Sequence, residues 1–297
     1  MRDRQMSEEK KESVTDRKIN RRSALKLTGG LAAAIVAGAV YAPEVTSASS
    51  TASGTSTADV DLRPLINQAG LKVRNETDGA PCAVHALTFL IEYMYATRFI
   101  SNLSQEYLQY VTFQVEKPPM NGEGKNFWAL NIGYQKWGVV PYAYVPNQDT
   151  VPANIPNSIL NTGRNGLRLN PVFIKDWAYT EATQDQLNQV VKFLDQNIPV
   201  AIGCLWPNDS PNFATSMIGG VNLMEVPTAA NKWDVVNDGH AVALVGYGRG
   251  SQFPGNGYFI YRNSWGENWG DHGYGYMPFE YVLKYANDLF AYQMPTV

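Results

Sequence analysis

The chain has 297 residues, 44% hydrophobic and 17% charged, with 25 glycines and 17 prolines, a composition that excludes a collagen-like or wholly disordered protein. Charge is uneven: residues 1–26 carry nine Lys/Arg against five Asp/Glu, whereas residues 59–297 carry 15 basic against 21 acidic groups. An acidic body argues against nucleic acid as a partner, since that partner selects a basic face, and two cysteines cannot build a disulfide framework.

The first segment reads as an address. Asn20-Arg21-Arg22-Ser23-Ala24-Leu25-Lys26 leads into residues 27–42, rich in Ala, Gly and Val, and then into the Ser/Thr-rich run 46–57. A basic region, a short apolar region and a small-residue exit make a secretory signal. The paired arginines resemble a twin-arginine signal, with Asn20 and Ala24 departing from its usual pattern. Residues 27–42 are 16 in number, short of the roughly 20 apolar residues that span a bilayer, so a cleaved signal is favoured over an anchor. Residues 1–48 are therefore expected to be the signal, 49–58 a linker and 59–297 one folded domain. Export to the periplasm, cell envelope or exterior follows as an expectation, with the export machinery as a partner and the mature protein a monomer.

Within the folded part, Ala83, Leu87, Leu90, Ile91 and Met94 fall on one face of a helix over Ala83–Tyr95, with Cys82 in its first turn. A second helix is expected after Ser104 as N-cap, a third near Asn126–Trp137 stopped by Gly138, and a fourth over Gln184–Asn197. Pro199–Leu205, Ala241–Tyr247, Gly257–Tyr261 and Tyr274–Met277 are short, β-branched or aromatic, and bounded by Gly, Asn and Pro, as strands are. Helices first and strands after point to an α+β fold with two lobes.

A cysteine becomes a strong nucleophile as thiolate, which a helix N-terminus and a nearby imidazolium both favour. Cys82 has the first by position. Of three histidines, His85 lies on the same helix and reads as structural or surface, and His272, in Gly270-Asp271-His272-Gly273, reads as a solvated turn residue. His240 opens an apolar strand after Asp238-Gly239, and Asn263 stands 23 residues later in Arg262-Asn263-Ser264-Trp265-Gly266, where an amide can orient the ring without adding charge.

At these residues the chain resembles the papain-like cysteine peptidases. Gly239-His240-Ala241-Val242-Ala243-Leu244-Val245-Gly246-Tyr247-Gly248 is similar to the family's histidine block, and Asn263-Ser264-Trp265-Gly266-Glu267-Asn268-Trp269-Gly270 to its asparagine block. Residues 73–83 keep the spacing of the cysteine block but lack Gly-Ser before and Trp after Cys82. Leu103-Ser104-Gln105-Glu106 resembles the block after the central helix, and Asn121-Gly122-Glu123-Gly124 the glycine wall. The resemblance implies a papain-like two-lobed fold, helical with the nucleophile on one side and a barrel-like sheet on the other, with a peptide-binding cleft between. It implies that Cys82 attacks the scissile carbonyl, His240 shuttles the proton and Asn263 orients His240. Trp265 either shields that pair or serves as a core aromatic. Substrate contacts are implied for Asn121, Gly122, Gly124, Gly239 and Trp265.

One departure concerns the oxyanion. The family places a glutamine where this chain has Glu76, and an ionised carboxylate accepts hydrogen bonds without donating them. Glu76 held protonated by burial, Asn75 as substitute donor, and a chain that has lost most of its turnover are the three alternatives. The reading favoured is a working cysteine peptidase acting on peptide or protein substrates. A weakened papain-like protein that binds peptide or glycan in the cell envelope, or an acyl transferase, is the alternative. Only a short linker stands between signal and enzyme, which leaves no room for the inhibitory segment many relatives carry. Cys204 reads as a buried structural thiol. Neither Cys-x-x-Cys nor His-Glu-x-x-His spacing occurs, so no metal and no cofactor are expected.

Overall fold

The computed structural model describes residues 58–76, 80–96, 102–115, 126–146, 151–207, 215–227 and 235–295. The expected signal and most of the linker, with Asn121, Gly122 and Gly124, lie outside the described residues. Residues 52–297 form one compact unit. In chain order the elements are β1 (Val60–Asp61), α1 (Arg63–Gln68), α2 (Cys82–Ala96), α3 (Gln105–Phe113), α4 (Phe127–Trp137), α5 (Asn157–Arg164), β2 (Asn170–Lys175), α6 (Gln184–Asp195), β3 (Val200–Pro207), β4 (Thr215–Ile218), β5 (Val221–Met224), β6 (Val235–Arg249), β7 (Gly257–Arg262), β8 (Tyr274–Pro278), α7 (Phe279–Tyr285) and β9 (Ala286–Gln293). Among the described residues no helix is long and apolar enough to cross a membrane.

The helices start where local chemistry starts them. Ser104 Oγ accepts from Tyr107 N at 2.9 Å, and Asn126 Oδ1 accepts from Ala129 N at 2.9 Å, each satisfying an orphan donor of a first turn. Thr183 and Gln186 close a reciprocal capping box ahead of α6. α4 ends at Gly138, whose φ of 73° suits glycine, and a Cβ there would fall 2.0 Å from Gly163 O.

α2 departs from the expectation of one buried face. Twelve of its residues are buried, from Ala83 through Tyr93 without a break and then Tyr95, because the helix packs against β6 on one side and against α3 and α4 on the other. A helix covered all round belongs to the core. Its buried acid is paired: Glu92 Oε1 accepts from Leu103 N at 2.6 Å and bridges Arg74 Nη2 at 2.5 Å, while Arg74 Nη1 donates to Leu103 O at 3.0 Å. Glu92→Ala removes one partner of a buried ion pair and orphans a backbone N–H, so a loss of about 3–5 kcal/mol is expected. Chemical denaturation at unchanged m-value checks it, and a loss below about 1 kcal/mol refutes it.

Among the described residues the strands form one sheet, in the order β2-β9-β3-β6-β7-β8-β5-β4, with β1 also paired to β6. The pairs are antiparallel except β5 with β8. β6 runs beside β3 with Cys204 opposite His240, and beside β7 with Ala243 opposite Arg262; Asn263 follows at the end of β7. Two histidine-block and asparagine-block segments 23 residues apart in sequence thus lie on neighbouring strands. This is the α+β architecture expected from helices first and strands after.

β9 carries a buried acid beside a buried amide, Asn287, in a largely apolar strand. Asp288 lies opposite Gly203 on β3, where a Cβ on Gly203 would land 2.0 Å from Asp288 Oδ1, so a side chain at 203 would force the carboxyl out of its place. Asp288 Oδ2 also accepts from Phe127 N, 3.5 Å away at the start of α4, and so pins that helix to the sheet. Burial pushes the Asp288 carboxyl up to about 6, opposed by the Phe127 and Gly203 N–H groups and by Lys175. A carboxyl raised in the folded state costs stability once ionised. Stability is therefore expected to fall by about 2–3 kcal/mol as pH rises from about 4 through about 6. Asp288→Asn should flatten that slope in denaturation midpoints measured across the interval; an unchanged slope refutes the assignment.

Candidate active site

α2 presents Cys82 at its first residue, and Pro81 O accepts the N–H groups of Val84 at 3.0 Å and His85 at 3.2 Å. The approach to this helix tip is held from α3, where buried Glu106 accepts from Ala80 N at 3.0 Å. Cys82 is half-buried and free, and Cys204 is buried and free. Burial pushes the Cys204 thiol well up, with Asp288 and Cys82 adding to it. Cys204 is the structural thiol expected of it.

His240 enters from β6. Its ring stacks on Trp265 with centroids 4.7 Å apart and planes at 28°, and meets Trp206 edge-on, also at 4.7 Å. Nε2 lies 2.8 Å from Asn263 Oδ1, an oxygen that also accepts from Ser264 N at 2.8 Å. An amide oxygen can only accept, so Nε2 carries the hydrogen and Nδ1 is left for Cys82. Burial alone would lower the His240 imidazole, but the Cys82 sulfur, the Glu76 carboxylate and the Asn263 hydrogen bond outweigh it and the group is raised. His85 behaves oppositely. Burial, with the Arg74 and Arg262 guanidinium charges, lowers it to about 3, so it stays neutral and structural, whereas His272 is an exposed turn residue at φ 54°, as expected of both.

Glu76 is fixed at three points to the asparagine segment. Its N–H donates to Ser264 O at 2.7 Å, Trp265 Nε1 donates to Oε1 at 2.8 Å, and Ser264 Oγ donates to Oε2 at 2.5 Å. Asn75 pairs through its backbone with Trp265 as an antiparallel bridge. One ligand atom each of Glu76, Cys82 and His240 lies within 4.8 Å of the others. Cys82, His240, Asn263, Glu76 and Trp265 therefore come together, and exposed Gly239 precedes His240 on β6, opposite Leu205.

Three contributors escape sequence reasoning. Ser264 stands inside the asparagine block, but its bond to Glu76 spans 188 residues. Trp206 shows only as an aromatic two residues after Cys204, and Glu106 only as the end of a block similar to the family's, with no role attached to its carboxylate, which is buried. Trp265 serves as a lid on the His240 ring and as the donor that holds Glu76.

The arrangement is a thiol facing an imidazole whose far nitrogen is tethered by an amide, which is the geometry of an activated nucleophile. Residues 162–284 match the model of the papain family cysteine protease, a stretch that contains His240 and Asn263 and leaves Cys82 outside it. Fruit bromelain of Ananas comosus is 32% identical over 134 residues, 45% of this chain and 30% of that protein. Peptidase 1 of Dermatophagoides pteronyssinus is 60% identical over 37 residues, 12% of this chain and 11% of that one. The match thus spans no more than about a third of the length of these curated relatives. Xylellain, a cysteine protease from Xylella fastidiosa, superposes at a TM-score of 0.62 and 20% identity, covering 81% of this chain and 87% of its own. The fold is papain-like.

Proposed function

We propose that this protein is a cysteine peptidase that cleaves peptide bonds through a Cys82 thiolate. His240 Nδ1 takes the Cys82 proton and later gives it to the leaving amine, Asn263 Oδ1 keeps Nε2 protonated, and Trp265 covers the pair. The observation that carries the reading is the Cys82 sulfur lying within 4.8 Å of an imidazole nitrogen whose partner nitrogen is tied to Asn263 at 2.8 Å. The papain-family match over residues 162–284 supports it. The Cys82 sulfur and the Glu76 carboxylate beside the imidazole raise it, as a proton acceptor for the thiol requires. The test is alkylation by iodoacetamide at about pH 5.5, where an ordinary thiol is almost wholly protonated. One equivalent should react at Cys82, faster than in His240→Ala, with buried Cys204 unlabelled. Slow labelling indifferent to His240 would overturn the reading. It would favour the weakened peptide- or glycan-binding protein, to which Glu76 in place of an oxyanion donor lends its weight; an acyl transferase shares the activated thiol and is told apart by products formed with an added amine.

We further propose that the chain is exported as a monomer through a route that reads Arg21-Arg22, with a cut after Ala48. Arg21→Lys with Arg22→Lys is expected to trap the precursor inside the cell. Fractionation and N-terminal sequencing decide it, and unaltered export of the variant refutes it.

A further inference from the structure

Where the peptidase reading calls for a hydrogen-bond donor, the chain holds a carboxylate, and that substitution changes what else the site can bind. A thiol sulfur, an imidazole nitrogen and a carboxylate oxygen converge on one point, drawn from α2, β6 and the segment before α2, with the three atoms within 4.8 Å of one another. We propose that Glu76, Cys82 and His240 form a reversible site for a zinc-class divalent cation, and that its occupancy masks the nucleophile. The masking rests on the peptidase reading; the binding chemistry stands apart from it.

The donor set selects the ion. Sulfur and imidazole suit zinc and its neighbours, whereas magnesium and calcium require oxygen ligands. Zinc bonds of about 2.0–2.3 Å place tetrahedral ligand atoms about 3.5 Å apart, so closure asks each side chain for movements of roughly an ångström. The surrounding shell is already in place. His240 Nε2 is committed to Asn263 at 2.8 Å, which directs Nδ1 toward the sulfur. Both Glu76 oxygens are steadied, by Trp265 Nε1 at 2.8 Å and by Ser264 Oγ at 2.5 Å, and each retains a lone pair for a metal. Hydrogen bonds of this kind orient ligands in metal sites and tune their affinity. Three protein ligands leave a fourth position for water, and Glu76 and Cys82 are half-buried, so the ion can enter and leave. On binding, the one proton that Cys82 and His240 Nδ1 share passes to solvent. The sulfur lone pair and Nδ1 are then both engaged on the metal, and neither attack nor proton transfer can proceed.

Full-length protein freed of metal is titrated with cobalt(II), a spectroscopic substitute for zinc, and the bound ion is then displaced with zinc. One cobalt per chain with a thiolate-to-cobalt charge-transfer absorption is expected. The absorption should vanish in Cys82→Ser and in wild-type protein alkylated at Cys82, persist in Cys204→Ser, and require at least tenfold more cobalt in Glu76→Gln. In the peptidase assay zinc should inhibit and a chelator restore turnover. Absence of the thiolate absorption, its survival after Cys82 alkylation, or equal affinity in Glu76→Gln would each overturn the site. A chain that binds cobalt in this manner and cuts no peptide keeps the site and loses the peptidase reading. One that cuts peptides with cobalt affinity indifferent to residue 76 does the reverse.

Discussion

Replacing Cys82 by alanine is expected to lower peptide turnover by roughly four to six orders of magnitude, because removal of the nucleophile from an activated set leaves only substrate binding and oxyanion contacts to act. The fold should survive, since Cys82 is half-buried and substitutions away from the core shift stability by about 0.5 kcal/mol or less. Adding His240→Ala to Cys82→Ala should cost almost nothing further, as groups that act as one unit are not additive. Cys204→Ala is the contrasting variant: it removes a sulfur that is 1% exposed on a strand flanked by β6 and β9, so stability should fall while turnover per folded molecule is kept. Peptide hydrolysis and denaturation midpoints, measured on the same preparations, check all four statements. A Cys82→Ala protein within tenfold of wild type ends the proposed mechanism.

Glu76→Gln is expected to raise turnover by about 10- to 100-fold. Two effects oppose one another. Trp265 Nε1 holds Oε1 in place, so the new amide nitrogen takes the position of Oε2, spends one N–H on Ser264 Oγ and offers the second to a developing oxyanion; one such donor is worth about 2.7–4 kcal/mol. Against this, the imidazole loses a carboxylate that helps keep it protonated, and a shift of one pKa unit is about 1.4 kcal/mol. The donor wins, and the imidazole leaves a second signature. Without the carboxylate the His240 pKa falls, so the alkaline limb of the rate profile should move to lower pH. Turnover of the two proteins across about pH 5 to 9 tests both parts. No gain at any pH from about 5 to 8 removes Glu76 as the limiting feature.

Much of the candidate site was legible in the residues because its chemistry is local. A cysteine after Pro81 at a helix start, a histidine opening an apolar strand and an asparagine at the end of the next strand are short-range patterns, and the sheet places the last two side by side. The cap at Ser104 and the stop at Gly138 were legible for the same reason. β9 was not, because Asn287 and Asp288 interrupt its apolar run and their partners come from elsewhere: Asp288 answers to Gly203 and Phe127, while Asn287 O accepts from Lys175 Nζ at 2.9 Å. The β4–β5 hairpin did leave a signal, the Gly219-Gly220 pair at its turn, which fits a hairpin signature. The all-round burial of α2 was hidden because periodicity reports one partner surface, and this helix has several.

The grip of Glu106 on Ala80 N bears on how such a chemistry is inherited. The reactive residues occupy three short blocks, but the approach to the helix tip that carries the sulfur is held at Ala80 by a side chain 26 positions onward, on α3. A recombinant given only the three blocks would acquire the reagents without this hydrogen bond to the mount that carries the sulfur.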